Sequence, residues 1–99
     1  PVAGYYQING TCYLTVGSGT SGSYFSQIYK NGVALKQGGF SSSAAGENQS
    51  SVNSIIYFNG STDYIEIYAR VVGTTPSIYG DANGRLYTYF NGAMVRSAT

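Results

Sequence analysis

Tyr5-Tyr6-Gln7-Ile8-Asn9-Gly10-Thr11-Cys12-Tyr13-Leu14-Thr15-Val16 is the stretch that decides the fold. Its even positions, Tyr6, Ile8, Gly10, Cys12, Leu14 and Val16, alternate with Gln7, Asn9, Thr11, Tyr13 and Thr15. A period of two marks a half-buried strand, so the even set is predicted to face a core. Helix logic, with apolar residues three and four apart, is absent from the chain.

Outward from that strand the same logic continues. Gly17 to Ser23 is a loop by composition. Residues 24–30 and 33–37 flank Asn31-Gly32, a strong short-range hairpin signal, because both central positions of that tight turn need positive φ. Gly38 to Ser51 reads as a Gly/Ser/Ala loop, too poor in large side chains to hold itself by burial. Residues 52–58 form another strand, and Asn59 to Thr62 turns the chain. Ile65, Ile67, Ala69 and Val71 then alternate with Tyr64, Glu66, Tyr68 and Arg70. The charges of Glu66 and Arg70 identify the outer face, since an unpaired buried charge costs several kcal/mol or neutralises itself. Thr74 to Gly84 is turn-rich, and residues 85–95 read as the last strand. Short strands at regular turn spacing, with no helix, predict an all-β sandwich or barrel. Asn9-Gly10 and Asn91-Gly92 lie inside strand patterns, where glycine marks a bulge or a close neighbour.

Composition narrows the function. At 99 residues the chain holds one domain, residues 1–99. Charged residues make up only 9%, with a formal net charge of +1, and the five cations are spread along the chain. Nucleic acid is therefore not an expected partner, because phosphate neutralisation needs clustered cations. No apolar run is long enough to insert in a membrane as a helix. The low charge does not signal disorder, since 42% of residues are hydrophobic and 15% aromatic. Cys12 has no second cysteine to pair with, and its place among the core alternates predicts a buried thiol. The first strand starts mid-pattern and no initiator Met precedes it, so the chain reads as a C-terminal fragment of something longer.

Catalytic and metal chemistry find little to work with. There is no His, and the acids are Glu47, Asp63, Glu66 and Asp81. Residues 63 and 66, read as one strand, point to opposite faces and cannot converge as a carboxylate pair. One Cys without His does not make a zinc site. Calcium is conceivable through Asp81 and Asn83, although a turn is the simpler reading of Gly80 to Gly84. No enzyme, no cofactor and no metal are expected. Eleven Tyr and four Phe, however, exceed what one small core can bury. Tyr5, Tyr13, Tyr64, Tyr68, Tyr87 and Tyr89 fall on phases opposite to the core. They are either cross-strand pairs on a sheet face or an interface. The Asn-x-Ser/Thr triplets at Asn9, Asn48 and Asn59 matter only where a secreted protein is glycosylated.

Four segments carry a family resemblance: Pro1-Val-Ala-Gly4-Tyr5-Tyr6, Ile28-Tyr-Lys30-Asn31-Gly32, Asn59-Gly60-Ser-Thr-Asp63-Tyr64, and Tyr89-Phe90-Asn-Gly92-Ala-Met94. In this order they resemble the globular heads of complement component 1q and the tumour-necrosis-factor-like domains. The resemblance implies a jelly-roll β-sandwich of two antiparallel sheets, assembled as a homotrimer with an aromatic seam. Tyr68, Tyr87 and Tyr89 are then the first candidates for that seam. The loops at 17–23, 38–50 and 73–84 are left for recognition, with Ser18, Thr20, Ser42, Asn48, Tyr79, Asp81 and Asn83 as candidate contacts. In the last strand of that family the glycine packs against a large aromatic, which offers one explanation of Gly92. The low-charge Ser/Thr/Gly/Asn skin is similar to that of bacteriophage and other viral fibre heads. By that analogy the expected role is non-enzymatic attachment to a host-surface glycan or protein receptor, from the surface of a virion. Three alternatives remain: a structural part that decorates a capsid or trimerises a fibre, an extracellular recognition head that binds a protein ligand, and a monomeric carbohydrate-binding sandwich.

Overall fold

Strand β1 (Gly4–Thr15) follows the quoted alternation as far as Thr15 and forms the axis of the molecule, and Val16 lies outside the described residues. The structure, a computed structural model, describes residues 2–15, 22–43, 47–73, 76–79, 81–82, 85–86 and 88–98. In β1, Ile8, Gly10, Cys12 and Leu14 are buried and Tyr6 is half-buried, while Tyr5 is exposed. Thr11 departs from the phase rule. It points outward yet is buried, with its hydroxyl 3.1 Å from that of Ser51.

The chain continues through β2 (Gly22–Lys30), β3 (Val33–Gln37), β4 (Ser41–Ser43), β5 (Glu47–Phe58) and β6 (Ile65–Val72). It ends with β7 (Ser77–Tyr79), β8 (Asp81–Ala82), β9 (Arg85–Leu86) and β10 (Tyr89–Ser97). In the first sheet β1 is central, with β5 on one side and β10 on the other; β7 pairs with β1 at Tyr13–Thr15, beyond the end of β10. The second sheet is centred on β2, with β6 along one edge and β3 followed by β4 along the other. A two-residue ribbon pairs β8 with β9. Every pairing is antiparallel, and the described residues contain no helix. The molecule is an all-β, sandwich-like arrangement of two sheets. Twelve-residue strands reach about 40 Å at ~3.3 Å per residue, which accounts for its elongated 53 × 30 × 17 Å form.

The core is thin and lies where β1, β2 and β5 face one another. Ile8, Ile28, Val52 and Ile56 make one buried cluster, and Cys12, Leu14 and Tyr24 another. Ile67 of β6 packs against both and so joins them. It also sits over Gly10, where an added Cβ would lie only 3.0 Å from the Ile67 Cδ1. Each such side chain contributes about 1.5–3 kcal/mol by leaving water, and desolvation pushes the Cys12 thiol above its ordinary pKa. Gly92 is explained differently from the family analogy. Its neighbour across the ladder is Ile8, whose Cδ1 would be 2.7 Å from a Cβ, and not an aromatic ring.

The β3–β4 side of the sandwich is closed by polar groups. The Ser50 hydroxyl donates to the Gly39 carbonyl at 2.7 Å and accepts from the Ser26 backbone N–H at 3.0 Å. Because its one proton is used on Gly39, the buried Ser26 hydroxyl, 2.9 Å away, must donate to it. Gly38 N–H donates to Ser26 O, and Gly39 N–H to Ser51 O, tying both sheets to the connection between β3 and β4. Gly38 admits no side chain, since a Cβ would stand 2.2 Å from the Ser51 carbonyl oxygen. This region was expected to be loop from Gly38 to Ser51. It instead contains β4 and the first five residues of β5.

The hairpin at Asn31-Gly32 forms as predicted, with φ of 52° and 82°. Asp63 fastens it to the 59–64 turn, accepting from Asn31 Nδ2 and Asn59 N–H at 2.9 Å each and pairing with Lys30 at 3.2 Å. Asn59 Oδ1 in turn accepts the backbone N–H groups of Ser61, Thr62 and Asp63 at 2.9–3.1 Å. Asp63 lies in this turn and not on β6 with Glu66. The stretch expected as one strand at 85–95 is divided between β9 and β10, and the turn-rich 74–84 segment carries β7 and β8.

Candidate interaction surface

The side of the sandwich formed by β6, β7 and β10 is built unlike the β3–β4 side. The inward-phase residues of β6, Ile65, Ile67, Ala69 and Val71, are only half-buried. Across from them, Phe90 and Met94 of β10 share the inward phase of Gly10 and Tyr6, yet Phe90 is 59% exposed. Sequence phase alone places Phe90 and Met94 in the core. They are open because β6 and β10 are edge strands and no described strand lies beyond either. The gap between the sheets there is a cavity of about 280 Å³, lined by Thr11, Cys12, Ile67, Ala69, Ile78, Thr88, Tyr89 and Phe90.

Strand β10 also exposes Tyr89 and Val95, so apolar side chains project from both of its faces. Val95 is the extra residue of a bulge: Tyr6 pairs with Met94 and Tyr5 with Arg96, leaving Val95 unopposed. Beyond the bulge the Arg96 guanidinium lies over the Tyr5 ring at 5.0 Å, and Tyr5 meets Tyr57 edge-on at 5.4 Å. On the second sheet, Tyr68 stacks on Tyr29 with centroids 4.2 Å apart.

Of the proposed seam, Tyr68 faces outward from the second sheet, whereas Tyr89 belongs to the first and borders the cavity. The structure does not join them on one face, and Tyr87 lies outside the described residues. Among the proposed recognition positions, Asn48 and Tyr79 flank β1 at neighbouring rungs, opposite Leu14 and Tyr13. Ser42 pairs with Ser23, and Asp81 with Leu86. Ser18, Thr20 and Asn83 lie outside the described residues. Among the described residues no three His, Cys, Asp or Glu side chains gather as metal ligands. The residues that sequence reasoning missed here are Phe90, Met94 and Ile78. For Phe90 and Met94 the signal was present as inward phase on a strand, whereas Ile78 lies in a segment read as turn, and which strands end a sheet depends on long-range pairing. No known family model matches the chain, and no curated protein does.

Proposed function

We propose that the chain is a non-enzymatic head domain of jelly-roll connectivity that assembles as a homotrimer and recognises a host surface from a bacteriophage or other viral fibre or spike. The observation that supports it is the open β6–β7–β10 side, where Phe90 and Ile78 stand exposed around an apolar gap and Met94 is exposed further along β10. Soluble monomers rarely leave contiguous apolar surface of this kind in water. Contact with further copies buries Phe90 and Met94 and gives the half-buried face of β6 a neighbour. The order of the four family-like segments supports the trimer in particular, and the uncharged skin supports the fibre setting. The virion surface is the corresponding location.

Light scattering on a sizing column tests the assembly. At micromolar concentration the expected mass is three times the 10.5 kDa chain, and Phe90→Asp is expected to lower it. A clean monomer overturns the reading. Binding of the labelled domain to intact host cells tests recognition, and a trimer that binds no cell surface favours the purely structural alternative.

A further inference from the structure

The outer face of the β5–β1–β10 sheet carries a pattern that neither packing nor propensity explains. The register places Asn53, Asn9 and Asn91 side by side on three adjacent strands, all on the outward phase. Gln7 occupies the next row on β1, two residues away. Strands ~4.8 Å apart and same-face rows ~6.7 Å apart put these four amides on one flat patch. Asparagine is among the residues depleted from strands, and a β-branched or aromatic side chain would stabilise each position better. Three of them in one row across a sheet are a local conflict of the kind found where function overrides stability.

The amides are aligned. Gln7 Nε2 donates to Asn9 Oδ1 at 3.2 Å, and Asn9 Nδ2 donates to Asn91 Oδ1 at 3.1 Å. That chain leaves Gln7 Oε1 as an acceptor and Asn91 Nδ2 as a donor. The exposed Asn53 side chain forms no hydrogen bond among the described residues. Opposite Gln7 stand Ala93 on β10, which is small, and the exposed Ile55 on β5, which gives that row an apolar flank. Beyond it stand the rings of Tyr5 and Tyr57, in edge-on contact and both partly exposed.

We propose that this face binds a neutral saccharide chain, and the proposal rests on the recognition reading above. A sugar's neighbouring hydroxyls each donate and accept, which suits groups that offer a carbonyl oxygen and an NH2 side by side. A Tyr ring supplies a rigid apolar surface for the sugar's C–H face while keeping a hydroxyl for hydrogen bonding. The amide row carries no charge, so sulfate, phosphate or carboxylate groups find no counter-charge there; the cations beside the patch, Arg96 over the Tyr5 ring and Lys30 beside the Tyr57 ring, stand at its tyrosine end. A second copy of the chain fits less well, because the cores of self-contacts are apolar and the centre of this patch is amide.

The intact domain, with its mass recorded by light scattering in the same buffer, is applied to an array of neutral and sialylated glycans. Binding is then quantified by calorimetry with the neutral glycan that binds best and with its sialylated counterpart. Asn53→Ala and Asn91→Ala are expected to weaken binding about fivefold each, as for one lost hydrogen bond, with mass unchanged in both and melting temperature unchanged in Asn53→Ala, which gives up no bond within the domain. The sialylated counterpart is expected to bind no better than the neutral glycan. An array without neutral binders, or binding untouched by both variants, overturns the proposal while leaving an oligomeric head standing. A mass that falls in Asn53→Ala assigns the face to self-contact and also overturns it. A wild-type monomer refutes the assembly separately from either result.

Discussion

Replacing Ser50 with alanine removes the hub of the closed side of the sandwich. The Ser50 hydroxyl is a full hydrogen-bonding unit, with its proton on Gly39 O and its two lone pairs taken by Ser26 N–H and Ser26 Oγ. Both serines are buried, Ser26 at 0% and Ser50 at 2% exposure, so water does not replace what is lost. Alanine leaves two buried Ser26 groups unpaired at about 1–3 kcal/mol each, or roughly 2–6 kcal/mol together. For a domain of this size that lowers Tm by roughly 10–40 °C. Ser26→Ala is a stringent control. It deletes one donor but keeps the backbone bond to Ser50, so its cost is about 0.5–1.5 kcal/mol. Urea unfolding followed by circular dichroism, at one fixed protein concentration because assembly adds to stability, measures both. Equal losses in the two variants, or a larger loss in Ser26→Ala, refute the assigned direction of these bonds.

Three further outcomes are expected. Gly32→Val forces a branched side chain into positive φ and costs about 1–2 kcal/mol; an unchanged melting temperature contradicts the turn. The Asp63 carboxyl is held below its ordinary pKa of 3.8, chiefly by the Asn31 amide and then by the Asn59 N–H, with Lys30 assisting. A depressed folded pKa gives stability that is present above the unfolded value and is lost as pH falls through the folded one. Wild type therefore loses stability more steeply than Asp63→Asn on acidification below about pH 4, and parallel stability curves for the two refute the clamp. Cys12, buried and with its thiol pKa raised, is expected to react with a maleimide at neutral pH only when the domain is unfolded; rapid labelling of the native protein counts against its burial.

What could be read from the sequence follows from where the signal was local. The alternation in β1, the Asn31-Gly32 turn and the outward charges of Glu66 and Arg70 involve residues close in the chain, and each has its expected place. The start of β5 was hidden because its inward residue is Ser50. A serine satisfied by hydroxyl and backbone partners fills a core position while looking like loop composition. Ser41–Ser43 also has the composition of a loop, and its pairing with β2 is what makes it a strand. Neither the exposure of Phe90 and Met94 nor the row of Asn53, Asn9 and Asn91 could be read locally. Both depend on β1 pairing with strands some forty and eighty residues away, a register set by the whole sandwich.

The pairing of Gly4 with Ser97, extended by the bond from Ala98 N–H to Ala3 O, brings the two ends of the described chain to one pole of an elongated body. Tension applied between those ends would peel β10 from β1 rung by rung, the weak direction for an antiparallel ladder. A load entering at this pole and resisted at the far one runs along β1 and β5, which share twelve consecutive rungs, and must shear them together. The same adjacency suits circular permutation, since a short linker could join the ends without crossing either sheet.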